Sequence, residues 1–287
     1  MAETGRKGAW LSIGVYCLLT AAKLTVGWLA GSQAIAADGV NNATDVLGSV
    51  AVLLGLIIAQ RPADEEHRYG HARAEGVASL VVATIMGLAS LEVARSAFLS
   101  LLSTDRAAPE GWSLWVAVGS AAVLLAIYAY NLRLARRCGS SALESAAYDH
   151  LSDALISLGT AAGVAGSGLG WYWADPVAGL AVAALVARTA WSVGREAAHM
   201  LMDGGPDQER IAALEGVVSG VEGVCGVQDL RARLLGNRVA VDVTVLVPQH
   251  MSVVEAHAVA DRVEHALTRL AGVHTVQVHV EPDVKAG

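Results

Sequence analysis

Apolar residues run along the first two-thirds of the chain in six long blocks, and each reaches the ~20 residues that a helix needs to cross hydrocarbon. They span residues 10–30, 33–59, 75–101, 112–134, 142–166 and 173–202. The second, third and sixth exceed that minimum, so they tilt or extend beyond the membrane. Gly31-Ser32 and the glycine-rich stretch 166–170 mark tight turns. After Asp203-Gly204-Gly205-Pro206 the pattern changes. Residues 207–220 read as a capped amphipathic helix, and 224–235 and 237–247 as strands. In the second strand Val239, Val241, Val243, Val245 and Val247 share one face. Pro248 ends it, since proline cannot donate to a ladder. Helical spacing returns over 252–270 and alternation over 273–281. The expected fold is an α-helical membrane protein with six transmembrane helices in residues 1–203. A small α+β domain of order α-β-β-α-β follows in 204–287, with helices on one face of an antiparallel sheet.

Composition supports the membrane reading. Of 287 residues 54% are hydrophobic and 16% charged, against about 25% charged in soluble domains. Small residues dominate the apolar mass, as close helix packing in lipid requires. Basic residues gather on alternate connections: Arg6 and Lys7; Arg61, His67, Arg68, His71 and Arg73; Arg133, Arg136 and Arg137. The opposite loops carry only Arg106, beside Asp105 and Glu110. The positive-inside rule then places both termini in the cytoplasm of a multi-pass protein of the cell's inner (plasma) membrane. Trp112, Trp115, Trp171 and Trp173 sit at span ends as interfacial anchors. Cys17, Cys138 and Cys225 are too scattered for a disulfide framework or a thiolate metal centre. The first block is too long for a cleavable signal peptide. Lipid is an expected partner; nucleic acid is not.

An ionised Asp at the centre of a membrane helix costs about 2.5–3.5 kcal/mol on insertion scales, so intramembrane acids are functional candidates. The second block contains Asp38, Asn41, Asn42 and Asp45 within one helical stripe, and the fifth carries Asp149 and Asp153 one turn apart. His150 points about 100° away from Asp149. Two helices each offering oxygen ligands at i and i+4 can close a cage around a cation, as metal sites in bundles do. Asn41, Asp45, Asp149 and Asp153 are the candidate set. The alternative is hydrogen-bonding glue between spans, but acids on two separate spans need a cation or protons to offset their repulsion.

The chain resembles the cation diffusion facilitator family. The resemblance rests on the stretch from Lys23 through Gly27, Gly31, Ser32 and Asp38 to Asp45, on His67-Arg-Tyr-Gly-His71-Ala-Arg73-Ala-Glu75, on Asp149–Asp153, and on Asp229-Leu-Arg-Ala-Arg233. It implies six spans, a cytoplasmic ferredoxin-like domain, a homodimer, and exchange of a divalent metal for protons. The family's paired ligands on spans two and five map onto Asn41/Asp45 and Asp149/Asp153. Zinc-moving members carry His where this chain has Asp149, so the resemblance favours the manganese branch. The donor chemistry agrees, because hard oxygens suit Mn²⁺ whereas imidazole suits Zn²⁺. Fe²⁺ is a second expected substrate, and an exporter of Zn²⁺, Cd²⁺ or Co²⁺ is the alternative within the family. No resident cofactor is expected; the metal is cargo. Asp38 and Asn42 are read as supporting or access residues.

Three further groups follow from the resemblance. Asp64, His67 and His71 match a second family metal site; the alternative is a basic loop anchored at headgroups. Arg73 and Asp203 match a structural charge pair. In the terminal domain the family's zinc ligands fall on Gln228, Asp242, His257, His279 and Glu281, so a full binuclear cluster is not expected. A weaker regulatory site from Asp242, His257, His279 and Glu281 is. The chain is not expected to be an enzyme. Tyr148-Asp149 invites comparison with intramembrane aspartyl proteases, but the second motif of that class is missing. A cation channel selecting through acidic rings is the remaining alternative.

Overall fold

The structure, a computed structural model, describes residues 2–103, 108–138, 141–236 and 238–284. Asp105, Arg106 and Asn237 lie outside the described residues. Six long helices come first: α1 (Ala2–Ala30), α2 (Gln33–Ala59), α3 (Ala74–Leu102), α4 (Ser113–Cys138), α5 (Ser141–Gly168) and α6 (Ala174–Leu201). Among the described residues, four of these are long and apolar enough to cross a membrane: α2, α3, α6 and residues 113–136 of α4. Asp149, His150, Ser152 and Asp153 lower the apolar content of α5. Large apolar side chains such as Leu53, Ile57, Leu88, Leu91 and Trp191 face outward, which water would penalise and lipid does not.

Two junctions fix α2, the helix that carries the first polar stripe. Gly31 takes φ +67°, a left-handed conformation that glycine adopts without strain. Ser32 then caps the helix, its Oγ accepting from Ile35 N at 3.1 Å. The buried Asp175 of α6 reinforces this start: it accepts from Ser32 Oγ at 2.5 Å and from Gln33 N at 2.7 Å. Against α1, Gly27 lets the backbone of Ala36 approach so closely that a Cβ there would lie 2.6 Å from Ala36 N.

The chain divides into two compact units, residues 1–53 with 79–194 and residues 54–78 with 195–287. In the second, α7 (Gln208–Ser219), β1 (Gly226–Leu235), β2 (Arg238–Pro248), α8 (Val253–Thr268) and β3 (Val273–Asp283) realise the expected order. The five alternating valines of β2 are all buried, and they pack with Leu214 and Val218 of α7 and Val259, Val263 and Leu267 of α8. The expectation of a fully antiparallel sheet is corrected. The order is β1-β2-β3, with β1 antiparallel and β3 parallel to β2. The α8 crossover explains the parallel pair, since it carries the chain back before β3 begins.

At the start of α8, Ser252 and Glu255 form a reciprocal capping box. Backbone and hydroxyl hydrogen bonds from Ser252 hold the Glu255 carboxyl below its usual range. This contribution is present above the unfolded carboxylate pKa and disappears as pH falls through the folded one. Ser252→Ala is expected to cost about 1 kcal/mol locally. It should appear as faster amide hydrogen exchange in the first turn of α8, with the difference from wild type shrinking in acid.

Candidate metal-transport site

The polar stripe of α2 meets polar residues of α1 and α5. Asn41 and Asp153 are buried and joined, Asn41 Nδ2 donating to Asp153 Oδ1 at 2.9 Å. The hydroxyl of Tyr16 on α1 donates to the other oxygen, Asp153 Oδ2. Asp45 and Asp149 are exposed, yet Asp45 lies within electrostatic reach of both Asp149 and Asp153. The oxygens of Asp45, Asp149 and Asp153 do not all lie within 4.8 Å of one another. Two of the four expected ligands are thus in contact, and the other two are exposed.

Behind this lies a second cluster that sequence reasoning did not assemble. Lys23 of α1 is fully buried, and its ammonium donates to Asp38 Oδ1 at 2.9 Å, to Asn42 Oδ1 at 2.5 Å and to Ser157 Oγ of α5 at 2.9 Å. One cation therefore ties α1, α2 and α5 together about one helical turn from the candidate ligands. Asp38 and Asn42 support the stripe through this lysine. The signal was available, because Lys23 interrupts an apolar block and carries the same intramembrane penalty that flagged the acids. Tyr16 lies seven residues earlier, on the same face of α1.

His150, read as pointing off the ligand face, is buried and engaged. Its Nδ1 lies 2.9 Å from Tyr16 Oη and its Nε2 3.1 Å from Asn131 Nδ2 of α4.

The loop residues Asp64, His67 and His71 come together. Among the described residues they are the one trio of His, Cys, Asp or Glu with donor atoms all within 4.8 Å. Asp64 Oδ1 lies 3.3 Å from His67 Nδ1, and Asp64 Oδ2 lies 3.3 Å from His71 Nε2. The segment is a loop, not a helix, so the histidines converge through turns at Gly70 (φ +80°) and not through helical spacing. A backbone hydrogen bond from His67, foremost, holds the Asp64 carboxyl below its ordinary range. Asp64 therefore stays ionised and available to a cation.

Arg73 and Asp203 form the expected pair, Nη2 to Oδ1 at 2.5 Å, with Arg233 Nε a further 3.8 Å contact. Asp203 adopts φ +59°, a conformation that aspartate tolerates better than most residues. In the terminal domain the expected ligands have separate partners. Arg233 holds Asp242 at 2.5 Å, His257 lies 3.7 Å from Asp261, and His279 lies 3.0 Å from Glu281. His279 and Glu281 are together; Asp242 and His257 do not join them in a group of three.

A helical membrane domain with acids on two of its helices, followed by a small α+β domain, fits a multi-pass cation-transport protein. Comparison with known proteins gives its kind. The family pattern described as the cation efflux transmembrane domain matches residues 9–202, and that of the cation efflux protein cytoplasmic domain matches 206–283. The manganese efflux system protein MneS of Bacillus subtilis (strain 168) is 40% identical over 280 residues, covering 98% of this chain and 96% of that protein. The manganese efflux system protein MneP of the same organism is 28% identical over 288 residues, with 98% and 97% covered. The magnetosome protein MamM of Paramagnetospirillum magneticum is 31% identical over 267 residues, with 91% and 83% covered. The chain belongs to the cation efflux, or cation diffusion facilitator, family: it is a metal-cation efflux transporter and not an enzyme.

Proposed function

We propose that the protein exports Mn²⁺, with Fe²⁺ as a second substrate, from the cytoplasm in exchange for protons. The transport site is Asn41, Asp45, Asp149 and Asp153. The observation that carries this reading is the buried Asn41–Asp153 contact between α2 and α5, with Asp45 and Asp149 beside it. The four proposed ligands offer amide and carboxylate oxygens and no imidazole or thiolate, which favours a hard divalent cation over zinc. Two manganese efflux proteins among the relatives point the same way. Cation and protons compete for the same carboxylate oxygens, so metal binding releases protons, which couples the two fluxes. Rocking of the helices then carries the loaded site outward, where protons displace the metal.

In this reading α1 and α5 also cross the membrane, their polar residues turned toward the bundle interior. The exposed Arg61, Arg68, Arg133 and Arg136 set both termini on the cytoplasmic side of the plasma membrane. The cytoplasmic domain supports a homodimer, to which the Arg73–Asp203 pair lends rigidity. The loop trio Asp64, His67 and His71 is an accessory metal site. His279 and Glu281 belong to a regulatory site that Asp242 and His257 complete only by leaving their present partners.

Uptake of Mn²⁺, Fe²⁺, Zn²⁺, Co²⁺ and Cd²⁺ into proteoliposomes tests the selectivity. Wild type is expected to carry Mn²⁺ and Fe²⁺ best, and Asp149→His to shift preference toward Zn²⁺ by about ten-fold or more. A wild type that carries zinc and ignores manganese contradicts the assignment of the ion while leaving the carrier intact.

A further inference from the structure

We propose that Tyr16 is a placeholder for the metal, which the transported ion must displace from Asp153; this rests on the transport site proposed above. Both Asp153 oxygens are occupied, Oδ1 by the Asn41 amide and Oδ2 by the Tyr16 hydroxyl. Tyr16 comes from α1, outside the two helices that carry the ligands, and is buried. Its O–H presents a partial positive charge to the lone pairs that a metal at Oδ2 would use. The phenol and the cation therefore compete for one oxygen.

A competitor must also have somewhere to go, because a buried hydroxyl without a partner is costly. His150 supplies that place, its Nδ1 lying 2.9 Å from the phenol oxygen. A neutral imidazole has one donor and one acceptor nitrogen, and an amide offers both an acceptor and a donor, so the chain Asn131–His150–Tyr16 closes in two senses. In one, Asn131 donates to Nε2, Nδ1–H donates to the phenol oxygen, and the phenol donates to Asp153. In the other, Nε2–H donates to the amide oxygen of Asn131 and the phenol donates to Nδ1, which leaves Oδ2 free for the ion. Both arrangements keep His150 neutral. Tyr16 is in this sense a positioning residue that sets metal affinity and release; it is not itself a ligand.

Titration of detergent-purified full-length protein with Mn²⁺, together with proteoliposome flux, tests this. Tyr16→Phe is expected to tighten Mn²⁺ binding and lower KM about ten-fold, as for loss of one hydrogen bond to a charged group. The maximal rate should fall with KM, because release slows. A purely structural tyrosine predicts the opposite, an unchanged or higher KM with lower thermal stability, and that result overturns the proposal. His150→Leu is expected to raise KM in the wild-type background and to have no such effect when combined with Tyr16→Phe; equal effects in both backgrounds also overturn it. Asp153→Ala separates the two levels. If it transports normally, the site itself is wrong. If it is inactive while Tyr16→Phe leaves KM unchanged, the site stands and the placeholder does not.

Discussion

Asp153→Ala is expected to reduce Mn²⁺ flux by at least about 100-fold while leaving the protein folded. Loss of a residue that only supports a metal ligand already costs 10–100-fold in affinity or activity, and Asp153 is proposed as a ligand itself. It is also the carboxylate on which the other helices converge: Asn41 of α2 and Tyr16 of α1 both donate to it. Folding should survive, because alanine removes a buried acid whose two partners are neutral groups that reorganise or admit water. The measurement is ion uptake per reconstituted protein, alongside size-exclusion and thermal unfolding profiles. An Asp153→Ala protein that unfolds shows a scaffold role for the acid. One that folds and transports excludes it from the pathway.

Lys23→Met is expected to act on stability instead. The ammonium is fully buried and donates to three side chains on two other helices. Removing it strands the Asp38 carboxylate without its cation, a change worth about 3–5 kcal/mol for a buried pair. Replacing both partners, in Lys23→Met with Asp38→Leu, removes the stranded charge and should recover much of that loss. Thermal unfolding in detergent checks the ordering: wild type above the double variant, and the double variant above Lys23→Met. If Lys23→Met and the double variant unfold at the same temperature, the pair is not coupled as described.

These two residues show how much the chain discloses on its own. Helix α2 runs over the span that its hydropathy marked, because Gly31 and Ser32 give an unambiguous turn and cap at its start. The acids stood out for the same reason that they matter, since charge in an apolar block is rare and costly. The valines of β2 declared their face by strict alternation. What the pattern lacked was pairing information. Alternation over 273–281 is identical for a parallel and an antiparallel strand, so the direction of β3 depended on the α8 crossover. Lys23 and Tyr16 sit on α1, 15 residues before Asp38 and 137 before Asp153, and periodicity says nothing about which helix a face meets. In the loop, the sequence named Asp64, His67 and His71 but not how they meet; Gly70 and backbone turns bring the histidines together around Asp64. In the terminal domain, Arg233 already neutralises Asp242, a partner that matching ligand positions could not reveal.

In the proposed cycle metal and protons pass through one site in opposite directions. Proteoliposomes with an acidic interior and an alkaline exterior, given external Mn²⁺ with the membrane potential clamped at zero, test it most directly. The expected result is Mn²⁺ accumulation inside together with alkalinisation of the lumen, both lost when the pH gradient is collapsed and both absent from Asp153→Ala. Mn²⁺ entry that follows an imposed voltage but ignores the pH gradient would contradict it and make the protein a channel.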